Sequence, residues 1–211
     1  MPGNLNHLII DVTDPSDQFE CEGKVIQTFF STTDVFNFQK SKVLIRPKTD
    51  LRRKIKSFSR SDFNIFHLAA HGIYYRKTKQ KLDYTAIYQK RGKREIEVFR
   101  PDTIVRLRLM SDLFLSTCCE TFNDYFLEVI KGYGGVNNFI APVDSPISGD
   151  TIIFSLLFYN SLIRDISRNQ KRVLDPEIRR AFGHAKKAYQ SYPGKGDFRL
   201  YCHTEDKIYL F

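Results

Sequence analysis

Short apolar runs, each cut off by a polar or glycine-bearing stop, alternate along the chain with longer stretches whose apolar residues recur at helical spacing. Residues 5–12 and 24–30 read as strands, and 42–45 as a third that Arg46-Pro47 stops. Residues 35–38 begin a short connection. Thr49-Asp50 offers an N-cap to a short basic helix over 51–58. Residues 63–70 form an apolar strand that ends in His71-Gly72, and 73–94 form a polar, basic surface loop or hairpin. A small strand over 95–99 and a short helix over 103–109 lead into the run Leu113-Phe114-Leu115. That run turns polar at once, as Ser116-Thr117-Cys118-Cys119-Glu120-Thr121. A buried strand looks like this when it delivers a side chain to the edge of a sheet. Beyond it the spacing predicts a helix over 126–131 capped by Gly132, a strand over 138–142 and an apolar helix over 151–164. A polar amphipathic helix over 175–192, stopped by Pro193-Gly194, and terminal strands over 198–202 and 208–211 complete the chain.

Strands alternating with helices predict an α/β fold whose mostly parallel sheet is covered on both faces. Sites in such sheets lie at the carboxyl ends of strands, and both His71 and the cysteine pair fall there. A thiol is a weak nucleophile until a base or an electropositive setting makes it a thiolate. A histidine at one strand end and a cysteine at the next are therefore a candidate base and nucleophile. Most lone buried cysteines are only small core hydrophobes; the His-Gly partner is what lifts this one above that reading. His67, flanked by apolar residues inside its strand, reads as a satisfied core histidine. His7, His184 and His203 stand apart from any motif. Adjacent cysteines cannot easily chelate one ion, and the usual ligand spacing of about two to four residues is missing. No metal or other cofactor is expected.

At 211 residues, with 42 % apolar and 14 % aromatic, the chain suits a single globular domain over 1–211. Within it, residues 1–60 hold N-terminal strands and the basic helix, and 61–203 hold the candidate chemistry. Four cysteines, two of them adjacent, suit reduced thiols in a cytosol better than a disulfide framework. Leu8-Ile9-Ile10 is too short for the core of a signal peptide. Residues 151–163 are the longest apolar stretch and fall well short of the roughly 20 needed to span a bilayer. A cytoplasmic protein that stays off the membrane is expected. The formal charge of +9 is localised: residues 40–60 carry nine Lys or Arg against Asp50, and 76–94 carry eight against Asp83. Such runs mark either a solvated face or a docking surface.

Ala70-His71-Gly72 followed by Leu115-Ser116-Thr117-Cys118-Cys119-Glu120-Thr121 resembles the motif pair of the CHAT proteases, a caspase-like group related to separase. Cys118 follows His71 by 47 residues; in caspases the interval is about 50. The similarity runs from about residue 61 to about 203. It takes in 104–109 before the cysteine strand, Gly134-Gly135-Val136 through Val143-Asp144, Thr151 with Phe158-Tyr159, and 181–193. The family tryptophan near Val143 is absent, Phe122 replaces a glycine, and one extra residue separates Leu-Ser from Glu-Thr.

The resemblance implies a caspase-like three-layer α/β/α sandwich and a cysteine endopeptidase with a His-Cys dyad. His71 would be the base, and backbone N–H groups of Gly72 and of the cysteine would form the oxyanion hole. Counting from the strand makes Cys118 the nucleophile; counting back from Glu-Thr makes it Cys119. The strand is the firmer ruler, because burial fixes its register. Asp144 and Asp150 flank the turn that shapes the substrate pocket in related proteases, and carboxylates there favour a basic side chain. For Asp150, N-capping of the following helix is an equally good account. The implied partners are a protein substrate and a separate activating or sensor protein, in a prokaryotic defence or signalling system. The rival reading is a catalytically inactive caspase-like module that binds nucleic acid or an acidic protein through its basic surface.

Overall fold

A computed structural model describes residues 7–11, 22–32, 63–74, 82–90, 93–99, 101–106, 108–166, 170–194 and 196–211. Six strands form the main sheet: β1 (His7–Asp11), β2 (Phe63–Ala69), β6 (Ser111–Ser116), β7 (Val136–Pro142), β8 (Phe198–Cys202) and β9 (Lys207–Tyr209). They lie side by side in that order. The first four are parallel, and β8 and β9 add antiparallel edges. A second, antiparallel sheet holds β3 (His71–Tyr74), β4 (Leu82–Lys90) and β5 (Lys93–Phe99).

Alternation along the strands decides what each face of the main sheet buries. Phe66, Leu68, Phe114, Phe139 and Tyr201 point to one face, where α3 (Asp124–Tyr133) packs Phe126, Leu127 and Ile130 on them. Ile9, Ile65, Leu113, Leu115, Ile140, Phe198 and Leu200 point to the other. There they meet α1 (Glu22–Ser31), α4 (Ser148–Asp165) and α5 (Asp175–Gln190). A short helix, α2 (Pro101–Arg106), precedes β6. The result is the expected α/β/α sandwich with a sheet that is parallel at its centre, a caspase-like architecture. Both faces are sealed by aromatic packing; Phe154 of α4 stacks on Phe198 of β8 at 3.8 Å between ring centres. Each such fully buried side chain contributes roughly 1.5–3 kcal/mol.

Several boundaries differ from the sequence reading. Residues 24–30 are helix, not strand: Ile26 and Phe30 share a buried stripe while Lys24 and Thr28 face solvent. The helical period outweighs the β-propensity of Val25 and Ile26 here. The helix expected over 126–131 starts at Asp124, where the Asn123 side chain accepts from Phe126 N at 3.1 Å. It ends at Gly134, not Gly132, because Gly134 is the residue in the left-handed conformation (φ 65°). Within the basic span after His71, residues 73–74, 82–90 and 93–94 are strands of the second, antiparallel sheet, as the hairpin alternative expects, and 75–81 and 91–92 lie outside the described residues. Residues 35–38, 42–45 and 51–58 lie outside the described residues. Among the described residues no helix is long and apolar enough to cross a membrane.

Candidate active site

Strands β2 and β6 are parallel neighbours, paired at Leu68 and Ser116. Thr117 N extends the ladder by donating to Leu68 O at 3.1 Å. Three residues past that pair, β2 has given way to His71 and β6 to Cys119. His71 is the first residue of β3, opposite Thr85 of β4, and Gly72 follows opposite Tyr84. His71 and Gly72 therefore stand where the chain leaves the main sheet for the second one, at the same carboxyl edge as the cysteine turn.

The two thiols have different surroundings. Alternation persists for two residues past β6, so Cys118 falls on the α3 face, with Phe114, Phe122 and Phe126 in the same cluster. It is 0 % exposed, and its thiol points to Leu68 O at 3.7 Å. Burial pushes that thiol far above its ordinary range, and a hydrogen bond with the Ser116 side chain offsets this only in part. Strand counting favours Cys118, yet a sealed, protonated thiol is a poor nucleophile. Cys119 is half-buried and directs its thiol across the turn toward Pro146 O at 3.9 Å. Neighbouring strands and turns hold the segment: Glu120 N donates to Asp144 O at 2.8 Å and Phe122 N to Pro142 O at 2.9 Å. Inside the turn, Thr121 Oγ1 donates to Cys118 O at 2.9 Å.

Of the two carboxylates anticipated beside the site, Asp144 meets this turn through its carbonyl, and Asp150 stands against Gly194. Asp144 is exposed, and its Oδ1 accepts from Asp197 N at 3.0 Å. Asp150 is buried inside α4, whose N-cap is Ile147, so it does not cap that helix. Gly194 presses on it. A Cβ on Gly194 would overlap Asp150 Oδ1 and come within 2.6 Å of the Tyr192 ring. Tyr189 completes the group. Its buried hydroxyl has no hydrogen-bond partner among the described residues. Burial first, then the charges of Asp150 and Asp144, raise its pKa. Lys186, also buried, donates to Asp197 Oδ1 at 2.6 Å and Phe198 O at 2.9 Å. Among the described residues no group of three or more His, Cys, Asp or Glu is arranged to hold a metal ion.

Sequence reasoning missed the polar centre behind the turn. Glu22, at the start of α1, is 5 % exposed. Its Oε2 accepts from Thr117 Oγ1 at 3.0 Å and Thr151 Oγ1 at 3.2 Å. Its Oε1 accepts from Ser155 Oγ at 3.1 Å and lies 3.2 Å from His67 Nε2. That last contact is an ion-pair distance without hydrogen-bond alignment. His67 is fully buried, and its Nδ1 meets Tyr159 OH at 3.0 Å. No local motif announces this network, because its members come from four separate elements.

No protein-family model and no curated protein matches the chain. Among solved structures it is similar to a secreted C11 cysteine protease from Bacteroides thetaiotaomicron, in complex with an irreversible peptide inhibitor. That likeness has 14 % identity and a TM-score of 0.58, and covers 96 % of this chain and 67 % of the other. A second, an inactive zymogen C11 protease from Parabacteroides distasonis, aligns at 11 % identity and a TM-score of 0.41, over 97 % of this chain and 63 % of that one. The first likeness extends to the fold. The chain spans about two thirds of the length of these structures.

Proposed function

We propose that the chain is a cysteine endopeptidase of the caspase-like type, with His71 as the base and Cys119 as the nucleophile. The observation that carries this is register. Adjacent parallel strands bring His71 and the cysteine turn to one sheet edge, each three residues past the Leu68–Ser116 pair. Cys119 is preferred to Cys118 because the residue is only half-buried while Cys118 is sealed in the core.

In this mechanism His71 takes the thiol proton and the thiolate attacks the scissile carbonyl carbon. Backbone N–H groups of Gly72 and of Cys119 hold the oxyanion. His71 then protonates the leaving amine as the C–N bond breaks, leaving a thioester on the enzyme. Water, giving its proton to His71, attacks the thioester and releases the acid. Asp144 and Asp150 flank the pocket for the residue before the cut and favour a basic side chain there. The substrate is a protein, and the motif resemblance to CHAT proteases points to a prokaryotic defence or signalling setting with a separate activating chain.

The test is co-expression with candidate partner proteins, followed by mass spectrometry of new termini. Cleavage is expected for the wild type and for Cys118→Ala, and is lost in His71→Ala and Cys119→Ala with circular dichroism unchanged. Loss in Cys118→Ala with full activity in Cys119→Ala transfers the nucleophile. Wild-type cleavage by His71→Ala refutes the dyad. Salt-sensitive retention on nucleic acid without thiol reactivity would favour the inactive binding module instead.

A further inference from the structure

We propose that Glu22 is a positioning residue which, through Thr117, decides which of the two adjacent thiols faces the site. This rests on the protease reading above for its purpose but not for its test. Adjacent cysteines pose a selection problem. A small rotation of the 117–119 segment would exchange them, turning Cys118 outward and Cys119 into the core. Side chains near a strand end alternate in direction, so whatever fixes Thr117 fixes both its successors.

Thr117 is held from two sides. Its N–H donates to Leu68 O at 3.1 Å, which continues the sheet. Its hydroxyl donates to Glu22 Oε2 at 3.0 Å, which ties it to the α1 and α4 face. The bonds at Glu120 and Phe122 anchor the far end of the turn, and the hydroxyl bond fixes the face that Thr117 takes at its near end. With Thr117 turned to the Glu22 face, Cys118 must turn to the α3 face, where it is sealed. Cys119 then opens toward Pro146.

The carboxylate is itself held rigidly. Thr151 and Ser155, both on α4, donate to it at 3.2 and 3.1 Å, and His67 of β2 lies 3.2 Å away. A buried carboxylate is costly to desolvate, and apolar replacements of buried ionic groups are often neutral or stabilising. What this one supplies is direction. It is an acceptor fixed by two helices and a strand, aimed at the residue just before the thiols.

The test is alkylation of the full chain with a limiting amount of iodoacetamide near neutral pH, with labelling at Cys118 and Cys119 read separately by peptide mass spectrometry. In the wild type Cys119 should label at least tenfold faster than Cys118. Thr117→Val keeps the shape of the side chain and removes the hydroxyl. It should lower the Cys119-to-Cys118 ratio by roughly tenfold, the scale of one lost hydrogen bond to a charged group. Thr117→Ser should restore the ratio. Glu22→Gln, read in the same way, should lower it too and guards against a valine-specific packing effect. A ratio unchanged in both Thr117→Val and Glu22→Gln, with the wild type selective, overturns the proposal, as does a wild type that labels both thiols equally. A merely structural role would lower thermal stability in these variants without moving the ratio. A His71→Ala arm separates the two ideas: if it leaves the Cys119 rate untouched while Thr117→Val shifts the ratio, the dyad falls and the positioning role stands.

Discussion

Replacing Asp112 with alanine should destabilise the protein far more than its surface ion pair suggests. Asp112 is the second residue of the cysteine strand and is buried, and its carboxylate collects donors from four residues. Oδ2 accepts from Asn64 Nδ2 at 2.9 Å and from Val173 N at 2.9 Å. Oδ1 accepts from Arg172 Nε at 3.1 Å and Nη2 at 2.8 Å, and more distantly from Asn137 Nδ2 at 3.5 Å. Alanine leaves two donors without this acceptor, and a buried donor left so costs about 1–3 kcal/mol. The Arg172 side chain is 67 % exposed, so water replaces its lost partner at small cost. The expected loss is therefore about 2–6 kcal/mol, set against a typical total of about 5–15 kcal/mol. Urea unfolding followed by circular dichroism reads it directly: the midpoint should fall with the slope unchanged. Arg172→Ala should cost under about 1 kcal/mol. If Asp112→Ala costs no more than that, or if Arg172→Ala matches it, the buried donors do not carry the energy.

Alkaline pH should weaken the protein through Tyr201. Burial, then the hydrogen bond to Asp206 and its charge, push that phenol up to about 12 from an ordinary value near 10. A pKa raised on folding contributes stability below the unfolded value that is lost as pH rises through the folded one. The advantage of wild type over Tyr201→Phe, measured by urea unfolding, should shrink by an amount on the order of 2 kcal/mol between pH 10 and 12; a constant difference would show that the phenol titrates normally. The second test concerns the hairpin basic residues. Lys90 pairs with Lys93 at the far end of β4 and β5, five residues from Thr85, the partner of His71. At about 3.4 Å per residue that is roughly 17 Å along the strand, well beyond the Debye length of about 8 Å at physiological salt. Neutralising Lys90, Arg91, Lys93 and Arg94 should therefore slow association with an acidic partner and spare the chemical step, with the effect fading at high salt. Equal loss at every ionic strength would point to a folding defect.

The parallel centre of the fold was legible because its strands announce themselves. Leu113-Phe114-Leu115 and residues 63–70 are apolar on both faces, which only a strand covered on two sides requires. The stops at their carboxyl ends located the candidate site for the same reason. α1 was misread because a ten-residue helix with Val25, Ile26, Phe29 and Phe30 presents β-favouring residues, and its helical stripe rests on two buried side chains, Ile26 and Phe30. Glu22 and Asp112 could not be found this way. Each is a single acid whose partners lie on distant parts of the chain, 129 residues away for Thr151 and 61 for Val173. Sequence periodicity reports which face a residue takes and carries no information about which hydroxyl or amide will meet it there.

The cysteine turn shows where a sheet strand buried on both faces can place a tight bend. β6 is paired on both sides and buried throughout, so a one-residue shift would exchange Leu113 and Leu115 with Phe114 between two packed faces. The bend therefore has to fall after Ser116. It coincides with Glu120 in the left-handed region at φ 54°, a conformation that costs a non-glycine residue about 1–2 kcal/mol. That cost is offset locally. Glu120 donates its N–H to Asp144 O, accepts from Ser145 Oγ at 2.8 Å on its carboxylate, and accepts from Asn123 Nδ2 at 2.8 Å on its carbonyl. Two consequences follow from placing the tight bend there. Cys118 still obeys the strand and completes the α3 face, while Cys119 is the first side chain released from it. The bend is also bonded to Asp144 and Ser145, so the thiol and the acidic turn opposite it move as one unit.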